Sequence, residues 1–360
     1  MELASCNLLL LDFTRLPGVP LAPANNRPSR GIRMRLIRKT KTLTAAAVVA
    51  LASTLLATGA LAQAWPAKPV RIVVPFAAGG NTDQQARIVA ERLSVTLGQQ
   101  FVVENRVGAG GAIAAEFVAK SAPDGYTVLM SAVSQMAIVP FLQKVSYDPV
   151  KDFAPVSIVG TNPFVLGIHE SVPAKTVQEF VAYAKANPGK LNYSSGGNGS
   201  IGHLSGALFV QGAGVQMAHI PYKGGAPAVA DLVAGVVQMY FGNASELIQH
   251  SKSGKIRLLG VSSLKGAPQL PGLPAIAEAY PGFQTITWNG LLAPAGTPRD
   301  VVNKFAAEVK KVVSEPTVIA RLDAIGVDPD GSSPEEFAKT IAADIKQWGD
   351  AVKAAGIKAE

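Results

Sequence analysis

The stretch from Val70 to Gly98 reads VRIVVPFAAGGNTDQQARIVAERLSVTLG and predicts a strand, a glycine turn and a helix. Val70–Phe76 is rich in branched and aromatic residues, which is typical of a buried β-strand. From Thr82 to Leu97 apolar residues recur at helical spacing, and a glycine follows as a stop signal. The two adjacent glycines let the backbone approach another group closely, and Thr82 or Asp83 can cap the helix. The pattern therefore predicts a helix N-terminus that faces a group outside the helix.

The first 64 residues are expected to be a targeting leader. From Met34 the chain reads MRLIRKTKTLTAAAVVALASTLLATGALAQA, which is a basic stretch, an apolar stretch and then small residues. That order predicts a secretory signal peptide over residues 34–64, removed after export, because its apolar core is short for a membrane span. Residues 1–33 are interpreted as an upstream extension from a misassigned start codon. The mature protein is therefore predicted to be periplasmic.

Charge and cysteine content exclude several function classes once the leader is set aside. The whole chain has a formal net charge of +8, and residues 1–64 hold eight basic and two acidic side chains. The remaining residues therefore carry a net charge of about +2, which gives no reason to expect nucleic-acid binding. Cys6 is the single cysteine and lies in the leader, so cysteine catalysis and thiolate metal sites are excluded. No cofactor is expected.

Strand and helix patterns alternate from Trp65 onward. Short β-rich runs such as FVVEN (Phe101–Asn105) and LNYSS (Leu191–Ser195) alternate with amphipathic segments such as Thr176–Ala186. This alternation favours an α/β fold with mainly parallel sheets. The roughly 296 residues after the leader favour two such domains over one.

A second glycine-rich turn repeats the design of the first in the other half of the chain. Residues 191–209 read LNYSSGGNGSIGHLSGALF, which predicts a strand, a turn and a helix capped by Ser200. Each helix N-terminus offers unpaired N–H groups and about half a positive charge, so each turn is a candidate anion site. If the two turns face each other across a cleft, they can hold two ends of one polyanionic ligand.

Seven motifs occur in an order that matches one family: WPAKPVRIVVPFAAGGNTD, VVENRVGAGG, APDGYTVLM, DFAPVS, LNYSSGGNGSIGHLSG, IPYKGGAPAVADLVAG and LLAPAGTP. In this combination the chain from residue 65 to 360 resembles the Bug-type solute-binding proteins of tripartite tricarboxylate transporters. The resemblance implies a type II periplasmic-binding-protein-like fold, with two α/β domains, a ligand cleft between them and two crossing strands. The expected domains are 65–163 plus 290–360, and 164–289. The crossings are expected near Asn162–Val165 and Trp288–Leu291.

The same resemblance implies a receptor rather than an enzyme. Such a receptor captures a small organic carboxylate in the cleft and delivers it to membrane permease subunits. The implied ligand contacts lie on the two glycine turns and on neighbouring strand ends. They are Phe76, Ala78, Gly79, Gly80, Thr82, Asp83, Ser134, Ser195, Asn198, Gly199, Ser200, His203, Tyr222 and Asn243.

Gly242 departs from the family pattern. Members often read F-D-N where this chain reads FGN, so an aspartate that can pair with a ligand amine is missing. A buried unpaired cation is costly, so the sequence favours organic acids that are not amino acids. Asn243 or a bound water can still replace the missing acceptor.

Enzymatic interpretations find only partial motifs. VVENRVGAGGAIAAE is similar to a dinucleotide fingerprint, but Ile113 stands at the position of its third glycine. GNGSIG places Ser200 after a glycine, but Asn198 stands where a nucleophile elbow needs glycine. His203 lies one helical turn from Ser200 and is interpreted as lining or supporting the loop. An exported hydrolase or isomerase that acts on an organic acid remains the alternative function.

Overall fold

The computed structural model of this chain describes residues 65–355. The predicted upstream extension (1–33) and signal peptide (34–64) lie outside the described residues. None of the helices within the described range has the length and hydropathy needed to cross a membrane.

Strands and helices alternate through most of the described range. The strands are β1 (Val70–Val74), β2 (Phe101–Asn105), β3 (Thr127–Ala132), β4 (Phe153–His169), β5 (Leu191–Ser195), β6 (Met217–Pro221), β7 (Met239–Asn243), β8 (Ile256–Val261), β9 (Ile286–Pro294) and β10 (Asp328–Pro329). The α-helices are α1 (Asn81–Leu97), α2 (Ala112–Ala119), α3 (Val139–Leu142), α4 (Val177–Ala186), α5 (Ile201–Ala213), α6 (Gly225–Val233), α7 (Ala244–Lys252), α8 (Arg299–Val313), α9 (Pro316–Asp323) and α10 (Pro334–Ala355). A π-helical turn, Ser134–Ile138, follows β3.

Two sheets share the long strand β4. In the first sheet β1 pairs in parallel with β2 and β3, and β9 lies antiparallel between β3 and β4. In the second sheet β5 pairs in parallel with β6 and β7, while β7 and β8 both run antiparallel to β4. The predicted α/β fold class is confirmed, with antiparallel strands added at the centre.

Strand β4 changes partners in the middle of its length. Pro163 lies opposite Ile286 of β9, and the next residue, Phe164, lies opposite Asn243 of β7. This change falls inside the segment where the sequence predicts the first crossing. On the returning chain, Thr285 still donates its backbone N–H to a residue next to β8. The second change therefore comes before the predicted segment at Trp288–Leu291, and the division into two domains stays a prediction.

Helices cover both faces of the first sheet. Alternate residues of a strand point to opposite faces, and in β1 Ile72 packs with residues of α1 and α8, whereas Val73 packs with residues of α2 and α10. Both faces are therefore buried from Ile72 to Val74, which explains the apolar run that follows the exposed Arg71. The packing fixes the end of β1, from which the turn to α1 emerges.

One helix near the C-terminus was absent from the sequence interpretation. The sequence pattern predicts two helices after Gly296, Pro298–Val313 and Pro334–Ala354, but α9 forms a third between α8 and α10. Pro316 occupies its first turn, where a missing N–H costs nothing. A proline that ends one helix can therefore also begin the next.

Candidate functional site

A cavity lies at the ends of strands that belong to both sheets. Its free space is about 490 Å³ including the part open to solvent. The lining combines backbone and hydroxyl groups with aromatic walls and contains, among the described residues, no lysine or arginine. The lining residues are Phe76, Gly80, Asn81, Thr82, Ala132, Ser134, Phe164, Gly196, Ser200, Ile201, Gly202, Gly225, Tyr240, Phe241, Asn243, Glu246, Thr287 and Asn289.

The N-terminus of α1 faces this cavity. Gly80 is its N-cap and supplies no side-chain hydrogen bond, so the prediction that Thr82 or Asp83 caps the helix is wrong. Both residues lie in the first turn instead, where backbone N–H groups have no acceptor within the helix. Thr82 Oγ1 donates to Asn289 Oδ1 at 2.7 Å, which ties the turn to β9.

Asp83 braces the first glycine turn from behind. Its carboxylate accepts hydrogen bonds from Gly79 N, Asn105 Nδ2 and Arg87 Nε, each at 2.9 Å. Burial acts to raise the pKa of the Asp83 carboxyl, but the hydrogen bonds from Arg87, Gly79 and Asn105 outweigh it and hold the pKa below its ordinary value. The carboxylate is therefore ionised at neutral pH and shapes the loop without lining the cavity.

The N-terminus of α5 faces the same cavity from the second sheet. Ser200 Oγ accepts from His203 N at 3.2 Å, so the predicted cap is confirmed. The backbone N–H of Ile201 donates to Ser134 Oγ, 3.2 Å away, at the end of β3. Hydroxyl and amide groups from both sheets therefore meet at one place.

Two stacked histidines support the second glycine turn from below. The rings of His203 and His219 lie 3.9 Å apart between centroids and are nearly parallel. His203 Nδ1 accepts from Gly199 N at 3.3 Å, and His219 Nε2 lies 2.7 Å from Ser195 Oγ. Burial lowers the pKa of His203 to about 4, and burial together with the neighbouring His203 lowers that of His219 to about 3. Both rings are therefore neutral at pH 7, and neither lines the cavity.

Glu246 is an acidic group in the cavity that sequence reasoning missed. It stands at the third position of α7, where its Oε2 accepts from Asn243 N at 3.1 Å and from the Tyr240 hydroxyl at 2.8 Å. Burial raises the pKa of the Glu246 carboxyl, and hydrogen bonds from Tyr240, Asn243 and Asn81 oppose that rise. The signal was present in the sequence as N-x-x-E, which is typical of a helix that begins with a reciprocal cap.

Tyr240 explains the glycine at position 242. A Cβ placed on Gly242 would lie 1.9 Å from the Tyr240 ring, so the ring already fills that space. The ring in turn carries its hydroxyl to Glu246. The premise that the site lacks an acidic acceptor is therefore wrong, although the preferred ligand remains a prediction.

The predicted contact residues fall into two groups. Those that line the cavity are Phe76, Gly80, Thr82, Ser134, Ser200 and Asn243. The structure does not place the others on the cavity wall: Ala78, Gly79, Asp83, Ser195, Asn198, Gly199, His203 and Tyr222. Tyr222, for example, donates its hydroxyl to Asp231 Oδ2 at 2.5 Å. Whether any of the fourteen contacts a ligand stays a prediction.

The chain offers no described cluster for a metal ion. Between residues 65 and 355 no group of three or more His, Asp or Glu side chains is placed to share one. The described part of the cavity wall offers amides, hydroxyls and one carboxyl group as hydrogen-bonding partners.

Replacing Ser200 with alanine should lower both stability and ligand affinity. Loss of the cap costs about 1 kcal/mol, and loss of a hydroxyl on the cavity wall removes a possible ligand donor. Urea unfolding and calorimetry with a bound acid measure the two effects. Thr176→Ala is the matched control, because Thr176 caps α4 in the same way, accepting from Glu179 N at 3.1 Å, but does not line the cavity. Equal affinity in both variants would make Ser200 purely structural.

The chain is similar to known receptor proteins in sequence and in fold. The model of the tripartite tricarboxylate transporter family receptor matches residues 85–357. Protein BugT of Bordetella pertussis is 35% identical over 300 residues, which cover 82% of this chain and 92% of BugT. The solved structure of R. palustris Rpa4515 with adipate is 38% identical with a TM-score of 0.80, over 82% of this chain and 100% of that chain. MatC (Rpa3494) from Rhodopseudomonas palustris with bound malate is 33% identical with a TM-score of 0.76, over 80% of this chain and 100% of that chain.

The family match covers most of the described residues, including the second glycine turn and every strand after β1, and it begins just after the first glycine turn. The fold matches support the periplasmic-binding-protein architecture that the sequence motifs imply. The chain therefore belongs to the Bug-type receptor family of tripartite tricarboxylate transporters.

Proposed function

We propose that this protein is a non-enzymatic periplasmic receptor that captures a small organic carboxylate in the cavity and delivers it to a tripartite tricarboxylate-type permease. The observation that carries the proposal is the meeting of two helix N-termini, those of α1 and α5, at one small cavity. Each contributes first-turn N–H groups and a partial positive charge, which together bind an anion without a lysine or arginine.

The size and the walls of the cavity support a small ligand with a hydrocarbon part. Phe76, Phe164 and Phe241 supply apolar surface between the polar ends. The bound adipate of Rpa4515 and the bound malate of MatC are both small carboxylates, and both proteins are relatives of this chain. A short carboxylate that spans from one turn to the other fits this arrangement.

Export to the periplasm is part of the same proposal. It rests on the basic and apolar pattern of residues 34–64 and on the periplasmic receptors of the family. The permease partner rests on the family alone.

A hydrolase interpretation has one observation in its favour, the 2.7 Å contact between Ser195 Oγ and His219 Nε2. Ser195 is fully buried, however, and neither side chain lines the cavity. Ser200, which does line it, uses its hydroxyl as a helix cap. A nucleophile must reach the substrate, so the receptor function is the better supported of the two.

A thermal-shift screen of the exported protein tests the proposal. Mono-, di- and tricarboxylates are compared with the uncharged amides of the same acids. A ligand that binds only the folded state stabilises it by about 2.7 kcal/mol at 100 times its Kd, which raises the melting temperature by several degrees. We expect at least one acid, and none of the amides, to do so. The absence of a melting-temperature shift with every acid would contradict the proposal. So would the chemical conversion of a bound acid, which NMR spectra of the incubated mixture would detect.

A further inference from the structure

The carboxylate of Glu246 lies among the N-termini of three helices at the cavity wall. Its Oε1 accepts from Asn81 N, in the first turn of α1, at 3.4 Å. A Cβ on Gly225, the first residue of α6, would lie 2.0 Å from the same oxygen. Glu246 itself belongs to the first turn of α7. An acidic side chain therefore already occupies part of the positively polarised end of the cavity.

The two carboxylate oxygens of Glu246 differ in their hydrogen bonding. Oε2 accepts two bonds, from the Tyr240 hydroxyl and from Asn243 N. Oε1 accepts one long bond from Asn81, although a carboxylate oxygen commonly accepts two. Glycine at position 225 keeps the space beside Oε1 free of a side chain. Oε1 therefore retains the capacity to accept a hydrogen bond from a molecule in the cavity.

The other side-chain carbonyl groups of the cavity are already engaged in short bonds. Asn243 Oδ1 accepts from Asn162 Nδ2 at 2.7 Å, and Asn289 Oδ1 accepts from Thr82 Oγ1, also at 2.7 Å. Asn81 Oδ1 likewise accepts from Gln85 Nε2 at 2.6 Å. Among the carbonyl and carboxylate oxygens of the described cavity side chains, Glu246 Oε1 thus has the longest hydrogen bond. A ligand group that meets it must be a hydrogen-bond donor, because two acceptors there repel each other.

We propose that Glu246 makes the site selective for a hydroxycarboxylate, whose hydroxyl donates to Oε1 while its carboxylate binds at the N-termini of α1 and α5. The inference rests on the proposed receptor function and narrows its ligand class. A hydroxyl suits this position better than an ammonium group, because three helix N-termini surround Glu246 and repel a cation. An acid with no donor leaves Oε1 facing ligand carbon with only the long bond from Asn81, and a buried acceptor that is incompletely paired costs affinity.

Calorimetry with matched acids tests the selectivity at three chain lengths. The series are propionate, lactate and alanine; succinate, malate and aspartate; and glutarate, 2-hydroxyglutarate and glutamate. In the series whose length fits the cavity, we expect the hydroxy acid to bind at least ten-fold more tightly than the unsubstituted acid, and more tightly than the amino acid. Equal or tighter binding of the unsubstituted acid, or tightest binding of the amino acid, would overturn the inference and leave the receptor function intact. Binding of none of these nine acids would also overturn the inference, and the thermal-shift screen would then decide the receptor function separately.

The variant Glu246→Gln assigns the preference to this side chain. Glutamine keeps the reciprocal cap of α7, so the protein should fold. Its amide oxygen stays opposite the Tyr240 hydroxyl and Asn243 N, both donors, which turns its NH₂ group towards the cavity. The position that accepted a bond then donates one, and the ten-fold advantage of the hydroxy acid should shrink to less than three-fold.

Glu278→Gln is the matched control. Glu278 Oε1 accepts from the backbone N–H of Ala275 in a similar cap at 3.2 Å, and Glu278 does not line the cavity. We expect this variant to keep the wild-type preference. An unchanged preference in Glu246→Gln, with a melting temperature that shows it is folded, would overturn the role of Glu246.

Discussion

Replacing Gly80 with valine is expected to weaken binding of the cognate acid at least ten-fold while the protein stays folded. Gly80 has φ −71° and ψ 166°, which any residue can adopt, so the backbone is not strained by the change. A Cβ there would already lie 3.4 Å from Ala77 O and 3.6 Å from Glu246 Oε1. The two further methyl groups of valine must then enter the cavity, whose free volume is small. Calorimetry measures the loss.

Ala78→Val is the control for this prediction. Ala78 belongs to the same turn, but it is exposed and does not line the cavity. The substitution adds the same kind of side chain two residues away, and affinity should stay within two-fold. A folded Gly80→Val variant with wild-type affinity would remove the first glycine turn from the site. A ten-fold loss in Ala78→Val would instead restore Ala78 as a ligand contact.

The stacked histidines should make the fold sensitive to acid. In the folded protein the pKa values of His203 and His219 are about 4 and about 3, below the ordinary value of 6.5. The unfolded chain therefore binds protons below pH 6.5 that the folded protein does not bind. The stability that the neutral pair contributes is complete above pH 6.5 and is lost as the pH falls towards 3. Two such groups lower the free energy of unfolding by about 4 kcal/mol between pH 6.5 and 4.5.

Urea unfolding at a series of pH values measures this loss. In His219→Gln one titrating group is removed, while the amide can still pair with Ser195. Unfolding then takes up about one proton fewer than in the wild type. The slope of the unfolding free energy against pH should therefore decrease by roughly 1.4 kcal/mol per pH unit. The same slope in wild type and variant between pH 6 and 4.5 would show that His219 does not titrate on unfolding.

Local patterns were sufficient for most of the fold. The alternation of short apolar runs and amphipathic segments predicts the strands and helices. A strand buried on two faces leaves a continuous apolar run in the sequence, whereas a helix buried on one face leaves apolar residues at helical spacing. The prediction that Ser200 caps α5 is correct, because a glycine-rich turn precedes an apolar helix there. At α1 the same rule misled, because Gly80 caps the helix and Thr82 uses its hydroxyl to reach Asn289, 207 residues away in the chain.

The site was harder to predict because it depends on contacts between distant segments. Glu246 has the sequence signature of a helix cap, and only the fold brings its second oxygen to Asn81. Gly242 was interpreted as a lost charge, whereas Tyr240 two residues earlier fills the space. A single sequence shows which residue types are present, but not which of them share a volume.

The position of β9 between β3 and β4 also bears on the order of folding. The two neighbours of β9 end more than a hundred residues before it begins, so the centre of the first sheet is made of long-range pairs. Such pairs form slowly, because the chain entropy of a large loop is lost before any contact repays it. A chain that has not yet reached Ile286 has no strand to join β3 to β4, and the edges of both remain open to the wrong partners. Completion of the first sheet therefore has to wait for the last quarter of the sequence.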